Sequence, residues 1–498
     1  MNSKRSFFLS IVVAVVLGVA YVATAAPGIT WANFGADGGD LVAAVAVSGV
    51  PHPTGYPTYV LLGRLFLSIP FGEPAFRVML LSLVATALAG GLAAFLFART
   101  ARDRSWGSIL AGLAVGLTFG LAPLPWSQAV IAEVHGLNAF FLALALLLAA
   151  ALSDPDRTTR SRLVVFALGL VCGLALGNHL TFVLVLPAVA VALWHCCKRE
   201  SARLYFGAAS GFALGLLVYL YLPLAARAHP PVNWGDASSW DGFWWLVSGG
   251  PYRGLAFALP LNEIPGRIAA WAGLLLDQFG IAGVILGAVG LVYGRSRLRW
   301  LDLTAGWIVF AYSVFALGYH TADSLGYLIP AYLGFSWWVG LGILKLAESV
   351  SDVRWRAGLL VPVLALAALL LRVPGTAAEV DASDDRRAAD FAAQVMAGAP
   401  EDAIVLTDGT EDTFALWYAH FALGQRPDLH VVAAPLAQFE WYRQGLQHTY
   451  PGLALPGAGQ ANVELWVDEL LSANTLPVCR TQVTREIEAL SVVFKCEP

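Results

Sequence analysis

The sequence predicts a mainly α-helical, polytopic membrane bundle followed by a small α/β region. Hydrophobic residues make up 58% of the 498-residue chain and charged residues only 13%, against roughly 25% charged in an average soluble domain. Apolar stretches of about spanning length then recur from residue 7 to residue 373, about 20 apolar residues being enough to cross the hydrocarbon core. After residue 373 hydrophobicity falls, and short helical and strand-like patterns alternate.

Residues 7–26 follow Lys4 and Arg5 and form the first span. Their Ala-rich exit at 23–26 also resembles a signal-peptidase site, so retention and removal of residues 1–26 both fit the pattern. Segment 57–70 is apolar but interrupted by Gly63 and Arg64 and too short to cross comfortably; it reads as interfacial or re-entrant. Further spans are expected at 76–98, 107–124, 136–153, 163–179, 180–196, 204–224, 268–293, 301–319, 325–347 and 357–373, which makes about eleven with the first. No internal repeat and no low-complexity segment is evident.

Lys and Arg concentrate in cytoplasmic loops, and here alternate connections carry them: Arg99, Arg102 and Arg104; Arg157, Arg160 and Arg162; Lys198, Arg199 and Arg203; Arg295, Arg297 and Arg299; Lys345, Arg354 and Arg356. The intervening loops, with only Arg64, Arg77, Arg227, Arg253 and Arg267, are then extracytoplasmic, and so is the tail. The expected organisation is a transmembrane catalytic unit over 1–373 and an extracytoplasmic α/β unit over 374–498. The tail patterns are helical at 383–397, strand-like at 403–407, helical at 411–423 and strand-like at 429–434. Of five cysteines only Cys479 and Cys496 share a polar region, making them the one plausible disulfide if their side of the membrane is oxidising. A net charge of −4 gives no footprint for nucleic acid.

The outer loops hold the chemistry. The stretch Asp37–Pro57 places Asp37 and Asp40 at i and i+3, on one face if the chain is helical there. Near an apolar surface such a pair suits a general base; the alternative is that one acid caps the helix. His52, between Pro51 and Pro53, is presented by a stiff loop and could donate to a phosphate, hold an acid, or be a plain turn residue. Glu133 and His135 precede a span and could meet a sugar hydroxyl, a phosphate or a metal, although no close-spaced ligand motif accompanies them. Asn178 and His179 interrupt an apolar run: polar groups at membrane depth are functional candidates, and a short exposed turn is the alternative. Asn233, Trp234 and Asp236 offer polar groups beside an aromatic platform for a sugar ring. Arg64, Arg227, Arg253 and Arg267 are the outward cations a phosphate would need, or simply contacts for lipid headgroups. Tyr252, His320, Asp323 and Tyr327 stand at loop and span edges where they could close the site, and the Trp-rich segment 239–247 suits the membrane surface and a lipid-linked substrate.

The blocks DGGDLVAAVAVSGVPHPTGYPTYVLLGRLF, AEVHGLNAFF, GLALGNHLT, YLPLAARAHPPVNWGD with SGGPY, and DSLGYLIPAY resemble successive blocks of a family of multi-pass membrane proteins long known only as a domain of unknown function. The tail stretch TDGTEDTFALWYAHFALGQRPDLHVV resembles that family's soluble end more loosely. The eukaryotic member is an endoplasmic-reticulum protein O-mannosyltransferase acting on IPT/TIG domains, and the family resembles glycosyltransferases of the GT-C type. The resemblance implies a sugar, mannose above all, moved with inversion from a polyprenyl-phosphate donor to a protein or glycan acceptor hydroxyl at the outer face of a bilayer, the plasma membrane if the chain is prokaryotic. By position it makes Asp37 the catalytic acid. Where the family block commonly reads Asp-x-Gly-Glu this chain has Asp40, a shorter arm. No cofactor is certain; a divalent ion is the one the outer acids and imidazoles could take. The rival readings are a transporter or flippase of a lipid-linked substrate, a membrane ligase acting on a glycan, and a membrane-anchored binding module.

Overall fold

The computed structural model describes residues 3–101, 105–153, 161–197, 202–351, 357–457, 462–485 and 490–497. Arg102, Arg104, Arg157, Arg160, Lys198, Arg199, Arg354 and Arg356, on which the expected orientation partly rests, lie outside the described residues.

The apolar stretches all become helices. Helix α1 (Ser3–Ala23) buries Val13, Leu17 and Tyr21, and the Tyr21 hydroxyl donates to the carbonyl of Gly120 at 2.7 Å. The short helices α2 (Asp37–Val47) and α3 (Pro57–Leu67) follow, and α4 (Pro74–Thr100) forms a long buried centre. Both α3 and α4 start on proline, whose missing N–H costs nothing in a first turn. Next come α5 (Trp106–Gly120), α6 (Pro123–Ala129), α7 (His135–Ala151), α8 (Ser161–Leu176), α9 (Leu186–Cys197), α10 (Ala202–Leu216), α11 (Tyr221–Ala226) and α12 (Trp240–Val247). The bundle closes with α13 (Ile264–Tyr293), α14 (Arg299–Gly318), α15 (Ile329–Ser351), α16 (Leu360–Leu370) and α17 (Val373–Val380).

Among the described residues seven helical stretches are long and apolar enough to cross a bilayer, or eight if α5 and α6, bent by 64°, count as one broken span. That is fewer than the eleven expected. Pro123 cannot continue the ladder of α5, which splits the expected 107–124 span. Segments 136–153, 163–179 and 180–196 form shorter apolar helices because their adjoining ends turn inward at His135 and at Asn178–His179. The apolar segment 57–70, too short to cross, forms the short helix α3, and the Trp-rich segment 239–247 forms α12, on which Trp240 is 74% exposed.

Close helix approach is fixed by small residues. Gly169 and Gly173 of α8 face Gly211 and Gly215 of α10, and a methyl at Gly169 would lie 2.0 Å from the Ala208 carbonyl oxygen. Two four-residue glycine spacings packed face to face let backbones meet where lipid provides no hydrophobic drive between helices.

The C-terminal region is a small mixed sheet with helices. Strands β1 (Ile404–Thr407), β2 (His430–Ala433), β3 (Val478–Arg485) and β4 (Leu490–Glu497) are ordered β2-β1-β3-β4, parallel except for β3 with β4. β1 is buried throughout, as its unbroken apolar run requires of a central parallel strand. Helices α18 (Arg387–Gly398), α19 (Thr410–Trp417), α20 (Glu440–Thr449) and α21 (Val463–Ala473) complete it. Cys479 and Cys496 face each other in the β3–β4 register and are joined as a disulfide.

One carboxylate gathers several of the bonds that hold this region to the first loop. Asp385 Oδ2 accepts from the Thr30 hydroxyl, from the Trp31 N–H at 3.1 Å and from the Ala32 N–H at 2.8 Å, while Arg387 pairs with Asp385. Burial pushes the Asp385 carboxyl up, but the Arg387 and Thr30 side-chain hydrogen bonds and the backbone amides of Ala32 and Arg387 outweigh it and hold it down at about 2. A depressed carboxyl contributes stability above its ordinary value of 3.8 that is lost as pH falls towards about 2. Asp385→Ala is expected to loosen docking by about 2 kcal/mol, the scale of hydrogen bonds to a charged group. Limited proteolysis near residues 381–386 at neutral pH checks this: cleavage no faster than in wild type would contradict it.

Candidate active site

The first turn of α2 carries Asp37 and Asp40, and the two acids have different surroundings. Asp40 has no exposed surface. Its Oδ2 accepts from the His52 N–H at 2.9 Å and meets His52 Nδ1 at 2.7 Å, and its Oδ1 accepts from Trp234 Nε1 at 3.0 Å. Both oxygens are therefore committed to His52 and Trp234, and the N-cap position, Ala36, carries no side-chain cap. The Asp37 side chain is 42% exposed and opens into a cavity, with Oδ2 at 3.8 Å from His52 Nε2. The imidazole of His52 thus spans the two carboxylates.

Two backbone contacts set this register. The Val50 N–H donates to the Val232 carbonyl at 2.9 Å and the Trp234 N–H to the Val50 carbonyl at 3.1 Å, bringing the NWGD turn against the His52 loop. Around the ring stand Tyr56 at 5.1 Å, Phe414 at 6.2 Å and Trp234 at 6.3 Å between centroids. Burial pulls the His52 pKa down, but the charge of Asp37, the hydrogen bond that His52 donates to Asp40 and the charges of Asp40 and Glu133 outweigh it and raise it to about 9. His52 is accordingly a cation at neutral pH.

The cavity has a volume of about 690 Å³. Its far wall holds Glu133, His135, His179 and Tyr327. Ser82 fixes Glu133 in both directions, its hydroxyl donating to the Glu133 carbonyl at 2.7 Å and accepting from the Glu133 N–H at 3.0 Å. Glu133 Oε2 lies 4.0 Å from His135 Nε2, and the His135 and His179 rings are 5.4 Å apart. His179 is oriented by Thr181, at 2.7 Å from its Nδ1. Asn178 donates to the Val134 carbonyl at 3.1 Å, tying the two turns together. Asn178 and His179 are both buried, so this is not the exposed turn that the sequence left open.

The structure thus brings Asp37, His52, Glu133, His135, His179, Trp234, Tyr252 and Tyr327 to one cavity, with Asp40 behind His52 and Asn178 behind the far wall. Other candidates lie elsewhere. Arg64 is exposed on α3 and donates to Val45 and Ser48; Arg253 is exposed and bonds to Trp244 and Ser248; Arg227 is exposed after α11. His320, between the lining residues Tyr319 and Thr321, stands 3.9 Å from Glu263 and does not itself line the cavity, and Arg267 supports that wall from behind by donating to the carbonyls of Tyr319 and Thr321. Asn233 and Asp236 flank Trp234 without lining the cavity. The side chain of Asp323 lies outside the described residues. Sequence reasoning missed Gln128, Gln278, Glu379, Glu411 and Phe414, which also line it. The last two fall in the TDGTEDTF stretch of the tail, and only the tertiary contact between α19 and α2 gives them a place.

Among the described residues no three His, Cys, Asp or Glu side chains converge closely enough to hold a metal ion. No chemical step is therefore assigned to a metal.

Residues 37–202 match the model of the protein O-mannosyl-transferase TMEM260 N-terminal domain, and residues 388–461 that of the TMEM260-associated domain 2, in that order along the chain. Over these two stretches the chain is similar to the TMEM260 family. Among curated relatives, the protein O-mannosyl-transferase TMEM260 of Mus musculus is 27% identical over 456 residues, 85% of this chain and 62% of the relative. That of Dictyostelium discoideum is 21% identical over 472 residues, 85% of this chain and 57% of the relative. The chain therefore spans about three fifths of the length of the curated TMEM260 proteins it matches. In fold it is similar to ArnT from Cupriavidus metallidurans bound to undecaprenyl phosphate, with a TM-score of 0.58 at 15% identity, covering 96% of this chain and 92% of that one. The apo state of the same protein gives 0.55 at 16% identity, covering 95% and 92%. The fold is of the GT-C type.

A histidine whose pKa is raised on folding contributes stability that is complete below its unfolded value near 6.5 and lost as pH rises through about 9. The melting temperature of the detergent-solubilised protein is expected to fall across that window, and to fall less in His52→Gln. Equal slopes in the two proteins would contradict the assignment. Trp234→Phe leaves one buried oxygen of Asp40 without its donor and is expected to destabilise by about 1–3 kcal/mol, which thermal unfolding at neutral pH measures.

Proposed function

We propose that the protein is a membrane glycosyltransferase that moves a sugar, mannose in the first instance, from a polyprenyl-phosphate donor to a Ser or Thr hydroxyl of a protein acceptor on the extracytoplasmic side. The observation that carries this reading is the half-exposed Asp37 carboxylate at the wall of the cavity, beside an imidazole locked by a second, fully buried acid. The names of the curated relatives support mannose and a protein acceptor, and the fold shared with an ArnT bound to undecaprenyl phosphate supports a lipid phosphate as the carrier.

In the proposed reaction Asp37 accepts the proton of the acceptor hydroxyl as its oxygen attacks the anomeric carbon. The bond from that carbon to the phosphate oxygen breaks, the electron pair leaves with the polyprenyl phosphate, and the single displacement inverts the centre. Among the described lining residues there is no Lys or Arg, so positive charge facing the departing phosphate comes from imidazole. His52 supplies it through Nε2, its nitrogen not bonded to Asp40. A preorganised charged donor in a water-poor site acts where charge develops in the transition state. Glu133, His135, His179 and Tyr327 hold the sugar and phosphate from the opposite wall.

The test is transfer of radiolabelled sugar from polyprenyl-phosphate donors to acceptors in membrane extracts by purified protein. Asp37→Asn is expected to lower the rate about 10²–10⁴-fold, the range for loss of a general base. Equal transfer by wild type and variant would remove Asp37 as the base, and no transfer with any donor would remove the transferase reading.

A further inference from the structure

The tail region meets the His52 ring through Phe414. Phe414, on α19, is 5% exposed and lies over His52 with ring planes 17° apart, while Trp234 and Tyr56 meet the same imidazole edge-on. The stack is held by backbone contact rather than by the rings alone. A methyl at Gly39 would lie 2.4 Å from the Phe414 carbonyl oxygen, so α19 packs against α2 at the turn that bears Asp37 and Asp40. One turn away, Trp31 Nε1 donates to the Glu411 carbonyl at 3.3 Å.

A flat apolar ring parallel to an imidazole does two physical things. It limits rotation about the side-chain torsion that carries the ring, and it keeps water off one face. Rotation matters here because His52 must point one nitrogen at Asp40 and the other towards Asp37 at once. We propose that Phe414, contributed by the C-terminal region, is a positioning residue for His52, holding the imidazole in register between Asp37 and Asp40 and shielding it from water. The role of His52 in transfer rests on the function proposed above, but the positioning does not. The titratable groups facing His52 are Asp37 and Asp40 on α2, Tyr56 on its own loop and Glu133 before α7, with the ring of His179 beyond Tyr56. None of these belongs to α19, so a substitution at Phe414 changes shielding and orientation without changing charge.

The experiment compares wild type, Phe414→Leu and Phe414→Tyr as full-length protein in detergent, treated with diethylpyrocarbonate at about pH 7.5 and read peptide by peptide by mass spectrometry. The reagent carbethoxylates neutral, accessible imidazole. Leucine keeps apolar volume but has no flat face, so the His52 ring leaves its register with Asp40 and Asp37, loses the attraction that raises its pKa, and is expected to react about tenfold faster, the factor by which a one-unit fall in pKa multiplies the neutral form. Tyrosine keeps the face and is expected to leave His52 as protected as in wild type. His420, buried in the tail and bonded to the Gln425 carbonyl at 3.0 Å, reports on folding of that region and is expected to stay protected throughout. The proposal is overturned if His52 reacts equally in wild type and Phe414→Leu, if Phe414→Tyr behaves like Phe414→Leu, or if His420 becomes reactive together with His52. The alkaline limb of sugar transfer should move to lower pH in Phe414→Leu only. Because labelling needs no turnover, a failure of Asp37 as base and a failure of Phe414 as positioner are read separately.

Discussion

Asp40 has no exposed surface, and a carboxylate is tolerated in such a place only when donors occupy its oxygens. Three donors do so, and they come from distant parts of the chain: the backbone and ring of His52 and the indole of Trp234, 194 residues away. Satisfying this one group forces the first turn of α2, the proline-flanked loop and the NWGD turn into a fixed arrangement. The end of the bundle that holds the cavity is built around that arrangement, and the orientation of His52 towards Asp37 follows from it.

The C-terminal region has the same logic at its own contact with the bundle. Asp385 gathers the Thr30 hydroxyl and the Trp31 and Ala32 amides, Asn33 donates to the Val380 carbonyl at 2.8 Å, and Gln128 donates to the Asn33 carbonyl at 3.0 Å. These bonds immobilise the loop that enters α2 and close one side of the cavity with Glu379, Glu411 and Phe414. A region that composition alone would set apart as a soluble appendage is, in the fold, a wall of the site. Close backbone approach at Gly39 is what permits it.

Much of the fold was legible because membrane burial writes long apolar runs that need no partner to be recognised. The helices at 76–98, 204–224, 268–293, 301–319 and 325–347 fall where expected, and β1 and β2 fall on the two strand-like runs of the tail. Hydropathy misread the stretches whose ends turn inward: α5 broken before Pro123, and the short α7, α8 and α9 around His135 and Asn178–His179. Strands β3 and β4 escaped because VCRTQVTR alternates weakly and puts an arginine, Arg480 or Arg485, on each face. For the site, the grouping of acids and imidazoles in alternate loops was readable. Arg64, Arg227 and Arg253 entered the same group by topology alone, and none of the three lines the cavity.

By itself the sequence determined the helical class, the side of the bundle on which acids and imidazoles collect, the pairing of Asp37 with Asp40 on one helical face, and the candidate disulfide between Cys479 and Cys496. These are properties of composition and of spacing within one segment, where periodicity fixes which residues neighbour each other. Only the tertiary structure decided that Asp40 serves His52 and Trp234 while Asp37 faces the cavity, and that Phe414 lies on His52. Those contacts join residues dozens to hundreds of positions apart through hydrogen-bond direction and packing, and no local pattern encodes either one.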